Sequence, residues 1–336
     1  MQRYLIVGGG IAAMQAAETI RGLRRDDPIT LIAEEDRPFY LRPLLADLVA
    51  GRIQDQDIWL EFEATAAAKN ISLMLGRQAV GLNYRRERTV SLSSGEEVPY
   101  DLLLIATGAR PVLPEIPGAD LEGVTTFSAY ADAVKVKAWA EQAKRAVVVG
   151  QGLQALELVR ALRLRGLEVT LVVPDDTPWF LPLFQTDEQT MERILAEHGV
   201  KVLVLDRAVE LVGRAGRVRA VKTREGHELP AEIVGFAGGQ RAETNLLSGS
   251  GIAVEVGVVT DEHLRTTDEM LWAAGDVAEI QASGTEQRAH GYGWMRASAH
   301  GQAAGHNMCG EHVAVEIGEN LVAQSLYGLS LAARWR

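Results

Sequence analysis

Two glycine-rich stretches carry residues whose spacing suits phosphate binding. In Tyr4-Leu-Ile-Val-Gly-Gly-Gly-Ile-Ala-Ala13 a buried apolar run enters Gly8-x-Gly10-x-x-Ala13 and then a helical pattern over residues 14–20. Gly8 permits a tight turn, Gly10 lets a pyrophosphate approach the main chain, and Ala13 keeps helix and strand close. The first helical amides, those of Ile11 and Ala12, would then face the phosphates, where the helix dipole favours negative charge. The stretch Ala146-Val-Val-Val-Gly150-Gln-Gly152-Leu153-Gln-Ala155 repeats this 142 residues later. One such turn is a weak signal, but two in strand–turn–helix context predict two dinucleotide-binding units.

The surrounding elements should place further polar groups beside these turns. Ile29-Thr-Leu-Ile-Ala33 reads as a parallel strand ending at Glu34-Glu35, 26 residues beyond Gly8, where an acid can accept hydrogen bonds from ribose hydroxyls. Arg42, in Tyr40-Leu-Arg42-Pro43, is either a surface or capping residue or a guanidinium that neutralises a pyrophosphate. Residues 71–105 alternate like strands, and Asp101-Leu-Leu-Leu-Ile-Ala106-Thr107-Gly108-Ala109-Arg110 is a buried strand running into a glycine turn. Pro111, Pro114 and Pro117 then suggest a crossing between domains. After the second glycine turn come a helix over 156–164 with Gly166 as its C-terminal cap, and a strand over 169–173. The second unit closes near Phe236-Ala-Gly-Gly239. A further short buried strand ends in Gly275-Asp276 before a small-residue helix over 297–308.

Composition removes several classes of function. A length of 336 residues makes two domains the natural expectation, and a net charge of −11 argues against nucleic-acid or anionic-membrane partners. The one cysteine, Cys309, excludes an internal disulfide and a Cys-x-x-Cys redox pair. With Met1 three residues before the first strand and no apolar run of about 20 residues, a cytoplasmic protein without a membrane span is expected. The histidines at 290, 300, 306 and 312 match no ligand spacing, so no metal site is expected.

Taken together, the two glycine turns, the Ala106-Thr107-Gly108 turn and Gly275-Asp276 resemble the flavin-dependent pyridine nucleotide–disulfide oxidoreductase superfamily over roughly residues 1–310. Tyr40-Leu-Arg42-Pro43-Leu-Leu looks like its rubredoxin reductase, ferredoxin reductase and NADH-side nitrite reductase branch. The resemblance implies an α/β fold of two Rossmann-like domains, the second inserted in the first. Residues 1–112 and 243–310 would bind FAD, and residues 113–242 would bind the nicotinamide cofactor. Residues 311–336 would be the remnant of a C-terminal interface domain otherwise absent or truncated. By the same resemblance Gly8, Gly10 and Ala13 would hold the FAD pyrophosphate, with Glu34, and Glu35 beside it, on the ribose and Arg42 on the phosphate side. The backbone of Val80 would meet the adenine, and Ala106, Thr107, Gly108 and Arg110 would lie along the flavin's path. Asp276, after Gly275, would bind a ribityl hydroxyl or cap the following helix, and Trp294 would sit at the entry to the final helix. Gly150, Gly152, Leu153, Ala155 and Gly239 would shape the nicotinamide-cofactor site, with Glu157 facing the nicotinamide and flavin.

The chain also departs from that pattern. No cysteine lies near Arg42, so disulfide chemistry is not expected. Asp47 stands where relatives with protein acceptors often carry a lysine, and Asp47 with Glu157 would put two carboxylates near the flavin and favour a shared proton. Pro174 matches Glu34, and the acids that follow, Asp175 and Asp176, should repel a 2′-phosphate and favour NADH over NADPH. The expected function is an FAD-dependent NADH oxidoreductase passing hydride to flavin N5. Electrons would then go to a small iron–sulfur protein, a quinone or oxygen. A flavin-bound regulatory subunit docked to a partner chain is the alternative.

Overall fold

The computed structural model describes residues 1–84, 87–174, 188–282, 284, 288–316, 324–326 and 329–331. Two five-stranded parallel sheets organise them. The first runs Leu271–Ala273, Leu102–Ile105, Tyr4–Val7, Ile29–Ile32, Ile71–Met74. Its inner strands Tyr4–Val7 and Leu102–Ile105 are wholly apolar because both faces are covered. The second runs Val200–Leu203, Glu168–Val172, Arg145–Val149, Ile233–Phe236, Val124–Thr125. Tyr4–Val7 and Arg145–Val149 are the central strands of their sheets, with neighbours on either side, so each sheet has a crevice where the chain direction switches. A three-stranded antiparallel sheet accompanies each unit, over 79–99 in the first and 208–230 in the second.

The helices are α1 (Ile11–Leu23), α2 (Leu45–Ala50), α3 (Phe62–Ala68), α4 (Tyr130–Ala140), α5 (Leu153–Leu164), α6 (Glu188–Glu197) and α7 (Trp294–Met308). Helix α5 ends as expected, with Gly166 in the left-handed region at φ +85°. The chain passes between the units twice, and the two passages pair antiparallel: Ala109–Pro111 against Gln240–Ala242. The cores do not follow the sequence order completely. Tyr40, Leu45, Leu48, Val49 and Ile58 are buried with Leu156, Val159 and Leu162 of α5, so α2 belongs to the second unit's core although it lies between two strands of the first sheet.

Helices α1 and α7 touch through small residues. A Cβ at Gly301 would lie 2.3 Å from the Ala12 carbonyl oxygen, and one at Gly305 would lie 2.7 Å from the Thr19 Cβ. Backbone against backbone leaves no room to adjust, so Gly301→Ala should destabilise the protein by about 2–3 kcal/mol. Gly22, inside α1 but with nothing within 4 Å of its added methyl, should respond oppositely. Gly22→Ala should stabilise by roughly 0.5–1 kcal/mol through helix propensity. Urea unfolding followed by circular dichroism checks both signs; a neutral Gly301→Ala would show that the helices are not in this contact.

Candidate functional site

The first cradle forms where Tyr4–Val7 ends. Gly8 adopts φ +148°, and a Cβ there would lie 2.0 Å from the Ala106 carbonyl oxygen, so only glycine lets the turn pass the neighbouring strand. The Gly8 amide donates to Ile32 O at 2.8 Å, which locks the turn to the strand leading to Glu34. Gly10 is extended, and its added Cβ would meet nothing within 4 Å. No side chain caps α1, so the amides of Ile11 and Ala12 in its first turn open onto that space, while Ala13 is fully buried behind them. A Cβ added at Gly275, which has φ +82°, would lie 3.1 Å from the Ala12 methyl, so this turn runs close along α1 and brings Asp276 to the same opening.

The second cradle repeats the first. Gly150 has φ +154°, and its added Cβ would lie 2.5 Å from the Ala237 carbonyl oxygen. Gly152 opens on empty space, α5 begins at Leu153 without a side-chain cap, and Ala155 is fully buried. Gly108 at φ +72° and Gly239 at φ +95° hold matching turns after the neighbouring strand of each sheet. The Gly150 amide donates to Val172 O at 3.0 Å as Gly8 does to Ile32, so the residue equivalent to Glu34 is Pro174. Asp175 lies outside the described residues.

A hydrogen-bonded chain joins the two openings. Gln154, in the first turn of α5, donates to Phe127 O and accepts from Gln240 Nε2 at 3.4 Å. Gln240 O accepts from the Tyr292 hydroxyl at 2.9 Å, and the next residue, Gly293, donates its amide to Asp276 Oδ1 at 3.0 Å. Gly293 is the N-cap of α7, so Asp276 also anchors the start of that helix.

Residues 2–303 match the family described as pyridine nucleotide-disulphide oxidoreductase. The chain belongs to that family. It is 30% identical over 279 residues to a nitrite reductase [NAD(P)H] of Bacillus subtilis (strain 168), covering 83% of this chain and 34% of that protein. It is 31% identical over 282 residues to rhodocoxin reductase of Rhodococcus erythropolis, covering 83% of this chain and 66% of the relative. The solved structure of a NAD-dependent persulfide reductase from A. fulgidus superposes with a TM-score of 0.86 at 28% identity, over 95% of this chain and 61% of that one. The chain thus spans from a third to two thirds of these proteins.

Within the family fold, several side chains are committed differently from the sequence expectation. Glu35 and Arg42, read as separate cofactor ligands, form an ion pair at 2.6 Å; Arg42 also donates to Ser128 O, and Glu35 accepts from the Tyr40 hydroxyl. Asp47 is the acid that the sequence sets beside Glu157. Its carboxylate meets Arg160 at 2.9 Å and Arg52 at 3.8 Å, because α2 docks on α5 one helical turn beyond Glu157. Glu34 is gripped by Arg110, whose guanidinium also holds Glu243. Thr107 donates its hydroxyl to Glu243 O at 2.6 Å, so the first crossing is tied to the second at the cradle's edge. Val80 is half exposed on the accessory sheet, with its backbone in the strand Ala79–Asn83. Cys309 is buried, and burial pushes its thiol pKa up, which suits packing at the end of α7. Among the described residues no group of three or more His, Cys, Asp or Glu could hold a metal ion, and no helix is long and apolar enough to cross a membrane.

Two residues of α7, Arg296 and His300, have no role at the cradle in the sequence reading, and the Arg296 charge acts on both Asp276 and His300. Arg296 sits in the first turn of α7 and His300 one turn later. Burial raises the Asp276 carboxyl pKa, opposed by the Gly293 amide and the Arg296, His290 and Arg42 charges. His300 is 3% exposed with Nδ1 unpartnered, and burial, aided by Arg296, pushes its pKa from 6.5 down to about 3. A base held neutral in the fold keeps its full contribution above the unfolded pKa near 6.5 and loses stability as pH falls toward about 3. By pH 5 that loss should be roughly 2 kcal/mol. His300→Gln should remove it, so urea titrations at pH 7.5 and 5 should show the wild type losing that much more than the variant.

Proposed function

We propose that the chain is an FAD-dependent NADH oxidoreductase, with FAD on the first cradle and NADH on the second. The observation that carries this reading is the pair of equivalent phosphate cradles joined through Gln154, Gln240 and Tyr292. The residues fit two dinucleotides. Each cradle has a glycine that a neighbouring carbonyl would exclude from bearing a side chain, and a second glycine that opens on empty space before uncapped helical amides.

The chemistry supplied by a bound FAD is acceptance of a hydride at N5 from C4 of a nicotinamide, followed by delivery of electrons to an acceptor. The chain's own residues bind and orient. Gly8, Gly10 and the α1 amides hold one pyrophosphate, and Glu34, steadied by Arg110, accepts from the adenosine ribose. Asp276 offers an acceptor to the ribityl chain, Thr107 and Gly108 line the path between, and Trp294 packs at the start of α7. Gly150, Gly152 and the amides from Leu153 onward hold the second pyrophosphate, and Glu157, one turn into α5, orients the nicotinamide. No side-chain nucleophile is required, because the gain comes from holding two rings in contact. The acidic Asp175-Asp176 favours NADH. A second class of role, a flavin-bound subunit that does not itself react with NADH, is separated from this one by the same experiment.

With one cysteine in the chain, a disulfide pair cannot relay the electrons, and the similarity to rhodocoxin reductase supports a protein acceptor. Anaerobic stopped-flow mixing with NADH should bleach the visible flavin band, and an unreactive flavin would sink the enzyme reading. Gly152→Val should raise the NADH concentration for half-maximal bleaching by on the order of tenfold or more while leaving flavin content unchanged. Gly8→Val should purify without flavin, and the absorbance ratio of the purified proteins checks both.

A further inference from the structure

Two side-chain amides meet beside the second cradle. Gln154 lies in the first turn of α5, and Gln240 follows the strand Ile233–Phe236 after the turn at Gly238-Gly239. Their orientation is fixed from one end. Phe127 O can only accept, so Gln154 turns its Nε2 toward Phe127 and its Oε1 toward Gln240. Gln240 must answer with its own nitrogen, which donates to Gln154 Oε1 at 3.4 Å. The anchor is firm, because Phe127 is buried at φ +47°, a conformation that a bulky residue holds only where its surroundings impose it. The Gln240 main chain is pinned as well, by strand pairing to Pro111 and by the Tyr292 hydroxyl at its carbonyl. One Gln240 N–H and the Gln240 Oε1 remain, and neither has a hydrogen-bond partner among the described residues. A half-buried primary amide with one donor and one acceptor unused is matched by another primary amide.

The place of Gln240 in the fold says which part of a dinucleotide meets it. On the second sheet the adenosine half lies toward Glu168–Val172 and Pro174, and the other half lies over the end of Ile233–Phe236. From that end the chain passes directly beneath the cradle, since a Cβ at Gly150 would lie 2.5 Å from Ala237 O and 3.1 Å from the Gly238 amide nitrogen. Gln240 therefore leaves the turn on the nicotinamide side. Through Tyr292 and then Gly293 it is also tied to Asp276 at the first cradle. Resting on the reading of NADH on the second cradle, we infer that Gln240 recognises the carboxamide of the nicotinamide. Its free Oε1 accepts from the carboxamide N–H, and its free N–H donates to the carboxamide oxygen, so two primary amides pair. Gln154 is the positioning residue that holds the Gln240 amide in the orientation presenting both groups. No bond is made or broken in this step; the pairing selects the ring and fixes its rotation before hydride leaves C4.

Calorimetric titration of the flavin-loaded protein tests this with three ligands. They are NAD+, acetylpyridine adenine dinucleotide, whose methyl ketone replaces the carboxamide, and ADP-ribose, which lacks the ring. The wild type should prefer NAD+ to the acetylpyridine analogue by on the order of tenfold, because the ketone leaves Gln240 Oε1 without a donor. Gln240→Leu should abolish that preference while binding ADP-ribose as the wild type does. Gln154→Leu should lower the same preference several-fold, and an unchanged preference there would remove the positioning role. A preference retained in Gln240→Leu would overturn the inference. So would an equal loss of ADP-ribose affinity, since Gln240 would then act on the cradle and not on the carboxamide. Should Gln240→Leu fail to fold, the wild type alone decides, and equal affinity for NAD+ and the ketone would contradict the assignment. A wild type that binds neither NAD+ nor ADP-ribose would instead remove the reading beneath it.

Discussion

The carbonyl oxygen of Ala106 sets the constraint from which the first site follows. It ends a strand flanking Tyr4–Val7, and it lies 2.0 Å from where a side chain at Gly8 would begin. A residue with any Cβ would push the turn off the sheet, and α1 would no longer start directly above the strand ends. With glycine, the turn closes, α1 begins uncapped, and its free amides point into open space beyond Gly10. Ala237 imposes the same condition on Gly150. Both cradles are therefore products of one local geometry, repeated on two sheets.

What relates the cradles to each other is less regular. The paired passages Ala109–Pro111 and Gln240–Ala242 hold the units side by side, and the Thr107–Glu243 and Arg110–Glu243 contacts fasten that ribbon at the first cradle. On the other side α2 leaves the first unit and is buried against α5, where Asp47 meets Arg160 and the Arg165 guanidinium donates to Val49 O at 2.7 Å. Because α5 also carries Glu157, this docking sets how far the second cradle stands from the first. The α1–α7 contact through Gly301 completes the frame by holding the start of α7, and the Gly293–Asp276 bond there, at the opening.

The parallel units were legible because a buried apolar run, Gly-x-Gly-x-x-Ala and an apolar helix in succession have few other structural solutions. The α/β fold and the family follow from those motifs. The docking of α2 was not legible, since its apolar residues would serve either core and periodicity does not name the partner. For the same reason Asp47 was set against Glu157 when its partner is Arg160, 113 residues away, and Arg42 was separated from Glu35, which it pairs with.

The central claim is that one chain holds two different dinucleotides on two equivalent cradles. Native mass spectrometry of the protein incubated with FAD and NAD+ tests it most directly. The account predicts a complex of one chain, one FAD and one NAD+, with the FAD retained after buffer exchange and the NAD+ lost. A chain that binds neither, or that takes two copies of the same dinucleotide, would contradict it.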